Sequence, residues 1–179
     1  MKTVNLDVID ESGAIIGQES RKKIHKDGLL HREIHVWLYT PAGEIIFQHR
    51  AKDKDTAPDL LDASVGGHVE IGMGWEDSAI KELEEEAGIV ASPVELVYLS
   101  KIRSGLLAAN SNNALRHEYA YRYTGNIKDL RVEQGKSFGF EAWHIRDLLN
   151  VSETDRSRFI PLMLSEQYLA IYRQIETLL

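Results

Sequence analysis

The segment "REIHVWLYT" sets Ile34, Val36 and Leu38 against His35, Trp37 and Tyr39 in alternation, the period of a strand with one buried face. "PAGE" then turns the chain into "IIFQHR", its expected partner strand. Ahead of them, "TVNLDVID" and "AIIGQES" flank an Asp-Glu-Ser-Gly turn and predict a short hairpin over about 1–20. Downstream, the polar loop "AKDKDTAPD" leads through "LLDASV" to a run of glycines. A helix over 76–87 follows, closed by Gly88 where a C-cap is expected. "VELVYLSKIR", "HEYAYRYTG" and "EAWHI" supply further strands, with "SGLLAANSNNAL" as a polar connection. A terminal helix is expected over about 160–179, with Leu162, Leu169 and Ile175 among its apolar residues. Mixed strands with one helix in the middle and one at the end predict an α/β or α+β sandwich. Residues 1–179 read as one domain, without internal repeats or low-complexity segments.

A hydrophobic content of 43% is enough for a real core. The net charge of −7 argues against a binder of nucleic-acid polymers, which would carry a basic stripe. The absence of cysteine removes thiolate nucleophiles, disulfides and thiolate-bound zinc together. Charges interrupt every apolar run of "MKTVNLDVIDESG", and no stretch approaches membrane-spanning length. The chain therefore reads as soluble and cytoplasmic, with no membrane partner.

The predicted helix carries four glutamates within positions 82–86. With Glu82 at 0° on an ideal helix, Glu86 falls at about 40° and Glu85 at about −60°, so these three share one face beside the apolar stripe. Glu84 points away, at about 200°. Crowded carboxylates repel one another unless a cation binds them, and hard Mg²⁺ prefers such oxygen ligands together with substrate phosphates. Gly66, Gly67, Gly72 and Gly74, ahead of the helix, let backbone pass close to a ligand. The glutamates alone would equally suit a solvated acidic face.

The stretch resembles the Nudix box, G-x5-E-x7-R-E-U-x-E-E-x-G-U with U aliphatic. Gly67 matches its first glycine, and Glu82, Leu83, Glu85, Glu86, Gly88 and Ile89 match its second half at the same spacing. Met73 stands where the box has its first glutamate, with Glu70 nearby as a partial substitute. Lys81 replaces the arginine, keeping the charge but not the bidentate fork. The resemblance implies an α/β/α sandwich with a mixed sheet and a hydrolase that directs water at a diphosphate bridge. It implies Mg²⁺ (or Mn²⁺) on Glu82, Glu85 and Glu86, Lys81 orienting these catalytic glutamates, and Gly66, Gly67 and His68 against the substrate phosphates.

Beyond the box, about 24–69, "FGFEAWHI" and "RFIPLML" resemble the branch related to isopentenyl-diphosphate isomerase. That branch has a metal site of histidines and glutamates. It implies roles for His25, His31 and His68, although the first spacing is one residue short, and for Glu118 as a further metal ligand. It also carries a cysteine before its Gly-His pair, where this chain has Gly66 before Gly67-His68. Each histidine equally suits a surface or hydrogen-bonded core position, whereas Glu118, a charge inside a strand, needs a partner. Glu133, on the loop before the last strand, is a candidate general base by likeness to several Nudix enzymes; a solvated loop residue is its other reading.

A metal-dependent hydrolase of a small-molecule diphosphate, nucleoside-linked or related, is thus the first reading. An isomerase is disfavoured by the missing cysteine, and a non-catalytic module is favoured only by Met73 and Lys81. "DKDTAP" and the 104–115 loop are candidate pocket walls; substrate identity and a homodimer are left open.

Overall fold

In the computed structural model, which describes residues 4–53, 57–104, 112–133, 135 and 137–179, the strand expected to be half-buried is the centre of the sheet. This strand, β3 (His31–Tyr39), follows β1 (Asn5–Ile9), β2 (Ile15–Ser20) and a short helix α1 (Arg21–Asp27). Helix α1 went unpredicted: it is capped by the Ser20 hydroxyl, which accepts from Lys23 N, and it ends at Gly28 with φ 63°. His35, Trp37 and Tyr39 are buried along with Ile34, Val36 and Leu38, so both faces of β3 are covered. The alternation separates two cores here, not core from solvent.

One edge of β3 runs parallel to β8 (Ala114–Arg122) from His31↔Ala114 to Tyr39↔Arg122. Its other edge is shared by β1, β6 (Val65–His68) and β4 (Glu44–Arg50), all antiparallel, through Val8↔His31, His35↔Gly66 and Leu38↔Ile46. Because β6 and β4 take successive parts of that edge, the sheet splits between them. Beyond the split β4 pairs with β5 (Leu61–Asp62) and β9 (Ser137–His144), while β7 (Leu96–Arg103) flanks β8.

Helix α2 (Trp75–Glu82) continues through a π-helical turn, Leu83–Ala87, to Gly88 with φ 71°. Ala79, Leu83 and Ala87 pack on Ile34, Val36, Val65 and Tyr119. On the opposite face Tyr168, Ile171, Tyr172 and Ile175 cover Trp37, Phe47 and Ala120. These four belong to the last of three C-terminal helices, α3 (Ile145–Leu149), α4 (Glu153–Arg156) and α5 (Glu166–Glu176). The rings of Trp37 and Tyr172 meet edge to face at 5.2 Å, a geometry worth about 0.5–1.5 kcal/mol beyond area burial. The result is an α/β/α sandwich around a mixed sheet. The continuous helix expected over 160–179 is instead a 3₁₀ turn, Pro161–Leu164, and then α5, separated by extended Ser165. Among the described residues no helix is long and apolar enough to cross a membrane.

Candidate functional site

The π turn decides which glutamates converge. A turn closing i→i+5 holds more residues than an α turn, so Glu86 comes closer beneath Glu82 and Glu85 rotates outward. Glu82 and Glu86 are 9% and 4% exposed, whereas the Glu85 side chain is 50% exposed. The three do not share one face as the ideal wheel predicts; Glu85 stands at the rim. Arg131 secures the turn, its guanidinium donating to the Glu84 and Glu85 carbonyls. Glu84 is exposed.

Strand β6 meets the two buried carboxylates with glycine. A Cβ on Gly67 would stand 2.3 Å from the Glu82 carboxyl group. The Gly66 amide donates to Glu86 Oε2 at 3.2 Å, and Gln48 Nε2, from across the split, approaches the same oxygen at 3.3 Å. The sheet's division thus opens the niche that Glu86 fills. Lys81 bridges Glu85 (2.8 Å) and Glu70 (3.3 Å), so Glu70 does reach the box, through lysine. Burial opposes the Lys81 charge, but Glu85 and Glu70 outweigh it and raise its pKa. Met73 sits half-buried against the core beneath α2.

Glu118 does not join Glu82 and Glu86. It faces α5 on the other side of the sheet, fully buried, and finds the partners a strand charge needs. Trp37 Nε1 donates to its Oε2 at 2.7 Å and the Tyr168 hydroxyl to its Oε1 at 3.1 Å. Burial works against this carboxylate, yet His35, Arg116 and Trp37 hold its pKa below the ordinary value. Arg116 also donates to Tyr168 Oη (2.8 Å) and forms a buried ion pair with Glu33 (2.5 Å).

His25, His31 and His68 do come together, with ligand atoms all within 4.8 Å of one another. His25 Nε2 lies 3.1 Å from His68 Nε2, and the His31 and His68 rings stack at 5.2 Å. His31 Nε2 is buried without a hydrogen-bond partner, which leaves a lone pair or proton to be satisfied. Burial lowers the His68 pKa to about 4, keeping the ring neutral and able to ligate.

Ser64 is structural: it accepts from Leu38 N at 2.9 Å and donates to the Ile46 carbonyl. Glu133 is half-buried ahead of β9, its carbonyl accepting from Ser137 N at 3.3 Å. Half of "DKDTAP" (54–56) and most of the 104–115 loop (105–111) lie outside the described residues. Sequence reasoning missed Glu33, His35, Gln48, Arg116 and Tyr168 as parts of this region. The polar phase of β3, carrying Glu33 and His35, was the one available signal.

Comparison with known proteins gives the same outline. The NUDIX domain family matches residues 29–163. An uncharacterized Nudix hydrolase of Clostridium acetobutylicum is 34% identical over 147 residues, covering 80% of this chain and 71% of its own. One from a Nostoc species is 31% identical over 162 residues, covering 88% and 92%. The crystal structure of DR0079 from Deinococcus radiodurans superposes with a TM-score of 0.70 at 19% identity, over 95% of this chain and 98% of that one. With the box on a helix packed against its glycine strand, the chain belongs to the Nudix family and is a Nudix hydrolase.

Proposed function

We propose that this Nudix hydrolase cleaves the diphosphate linkage of a small molecule, nucleoside-linked or related, using a divalent cation at Glu82 and Glu86, with Glu85 reaching in from the rim. The observation that carries the reading is the seating of two buried carboxylates against Gly66 and Gly67 of β6. Oxygen-only donors fit Mg²⁺ or Mn²⁺, and two buried like charges gain from a cation between them. When bound, the ion would neutralise phosphate charge and lower the pKa of a water molecule. Gly66 N–H and Gln48 fix the Glu86 carboxylate, and Lys81 draws Glu85 and Glu70 to the rim. Gly66, Gly67 and His68 line the side from which phosphates would approach.

The histidine triad supports a second cation locus of softer preference, since neutral imidazoles suit first-row transition metals. An isomerase reading draws less support, because no thiol exists to deliver or remove a proton. A panel of nucleoside-diphosphate, dinucleotide and prenyl diphosphate compounds, incubated with Mg²⁺ or Mn²⁺ and scored for phosphate products, tests the proposal. Cation-dependent turnover that falls by about 100-fold or more in Glu86→Gln is the expected result. Wild-type activity in that variant, or activity undiminished by chelator, would overturn it.

A further inference from the structure

Past the glutamate niche lies an open cleft of about 630 Å³. Ala51, Lys52 and Asp53, which follow β4, form one wall, and Val132, Ser137 and Phe138, at and before the start of β9, form the other. A cleft of this volume suits a small molecule. Both walls are tethered to the glutamates. On one side Gln48, whose amide reaches Glu86, precedes Ala51 by three residues, a span of no more than about 11 Å along the chain. On the other, Val132 follows Arg131, whose backbone amide donates to the Ala87 carbonyl at 3.0 Å and whose guanidinium holds the Glu84 and Glu85 carbonyls.

Two features of the second wall point to a ligand. His49 pairs with Gly139 and Arg50 with Ser137, so Phe138 is the extra residue of a β-bulge. A bulge re-aims a side chain, and the Phe138 ring is left 54% exposed at the cleft. The His49 ring packs on it at a steep angle, centroids 5.9 Å apart. Lys52 Nζ stands 5.9 Å from the Phe138 centroid on a side chain that is itself 70% exposed, so it does not seal the ring. Ser137, by contrast, is 6% exposed, and its hydroxyl finds no hydrogen-bond partner among the described residues. Its register partner Arg50 shares with Gln48 the face of β4 that turns toward Glu86, because alternate residues of a strand point the same way. An orphaned hydroxyl beside an exposed aromatic ring, on the niche side of the sheet, suits a flat ring with a polar edge. An apolar tail would cover the ring and leave the hydroxyl unpaired.

We infer that this cleft takes the base of a nucleoside diphosphate, stacked on Phe138 and hydrogen-bonded by the Ser137 hydroxyl, with the ribose spanning to a diphosphate held at Glu82 and Glu86. This rests on the diphosphate reading above and narrows the substrate to nucleosides. The competing occupant is the apolar tail of a prenyl diphosphate.

The methylenediphosphonates of adenosine, guanosine, cytidine and uridine, which water cannot cleave at the bridge, are the probes, set against methylenediphosphonate itself with Mg²⁺ present. By calorimetry, at least one nucleoside probe should bind wild type about 10-fold or more tightly than methylenediphosphonate, the scale of one base–aromatic stack. Phe138→Ala should remove that gain and leave the methylenediphosphonate and Mg²⁺ affinities at the wild-type level, whereas Phe138→Trp should keep it. Ser137→Ala should weaken the tightest nucleoside probe several-fold, the scale of one hydrogen bond. If methylenediphosphonate binds and no base adds affinity, a comparison made on wild type alone, this inference falls and the diphosphate reading stands. A gain that survives Phe138→Ala, or that Ser137→Ala leaves untouched, would overturn it as well. Geranyl methylenediphosphonate gaining as much through Phe138 would give the cleft to an apolar tail. Wild type that binds none of the probes removes the diphosphate reading, and this inference with it.

Discussion

Glu82 occupies the space that a side chain on Gly67 would need: a Cβ there would stand 2.3 Å from both its Cδ and its Oε1. Gly67→Ala should therefore push the carboxylate out of its niche. Titration calorimetry should record a loss of Mg²⁺ affinity of at least about 10-fold, the scale of one strong charge-assisted contact. Gly72→Ala is the contrast, since φ is +82° there and no atom lies within 4 Å of the added carbon. It should cost about 1 kcal/mol of stability through backbone strain and leave affinity alone. Equal affinity losses at both positions would mean that stability, and not the position of Glu82, governs binding.

The π turn ranks the glutamates in a way the ideal helix does not. Once a hydrolysed substrate is in hand, Glu86→Gln should lower kcat by about 100-fold or more. Glu85→Gln should cost only several-fold, because this side chain is half-exposed and paired with Lys81. Glu84→Gln, on exposed surface, should be nearly silent. Steady-state kinetics on the three variants decides, and an equal loss for Glu85 and Glu86 would restore the ideal phasing.

Those differences mark how far sequence reasoning reached. The box spacing, the Gly88 cap and the sandwich were legible because local rules and the global fold agree there. The π turn was not, since it depends on Arg131, distant in sequence, donating to the Glu84 and Glu85 carbonyls. The strand alternation at 34–39 gave the period but not the second core, because α5 supplies the cover from the far end of the chain. His35 and Glu118 were individually visible as polar residues in strands. Their partnership needed the parallel β3–β8 register, which pairs them directly.

In metal-free protein, stability should fall in two stages as pH drops. Burial lowers the His68 pKa from 6.5 to about 4, so the unfolded chain takes up a proton that the folded chain refuses. Stability is then lost progressively between those values, up to about 3 kcal/mol. The second stage begins near 4.5, the ordinary value from which Glu33 and Glu118 are lowered. Burial works against both charges, but Arg116 chiefly outweighs it for Glu33, as His35 does for Glu118. A depressed carboxyl pKa stabilises above the unfolded value and ceases to do so below it. Urea unfolding with chelator from about pH 7.5 downward should show the upper stage in wild type and a smaller one in His68→Gln, the remainder coming from His25 and His117, whose pKa values burial also lowers. A flat profile above about pH 5 in wild type would contradict the buried, neutral ring.

The histidine triad should select a different cation from the glutamates. Three imidazoles with ligand atoms within 4.8 Å of one another include a buried nitrogen, His31 Nε2, that protein atoms do not satisfy. Glu33 adds negative potential, its Oε1 lying 3.4 Å from His68 Nε2 and 3.6 Å from His31 Nε2. Arg116 already engages the Glu33 Oε2 atom, so this carboxylate cannot turn fully toward an ion. Nitrogen donors of this kind favour Zn²⁺ or Co²⁺ over Mg²⁺. Co²⁺ added to metal-free protein should therefore give the visible absorption of a nitrogen-ligated ion, resistant to excess Mg²⁺. His68→Gln should abolish that absorption, and Glu86→Gln should retain it, since the carboxylate niche lies on the helix side of β6. If Mg²⁺ bleaches the band, or if the band needs Glu86, the triad is a hydrogen-bonded core cluster and the cation belongs to the glutamates alone.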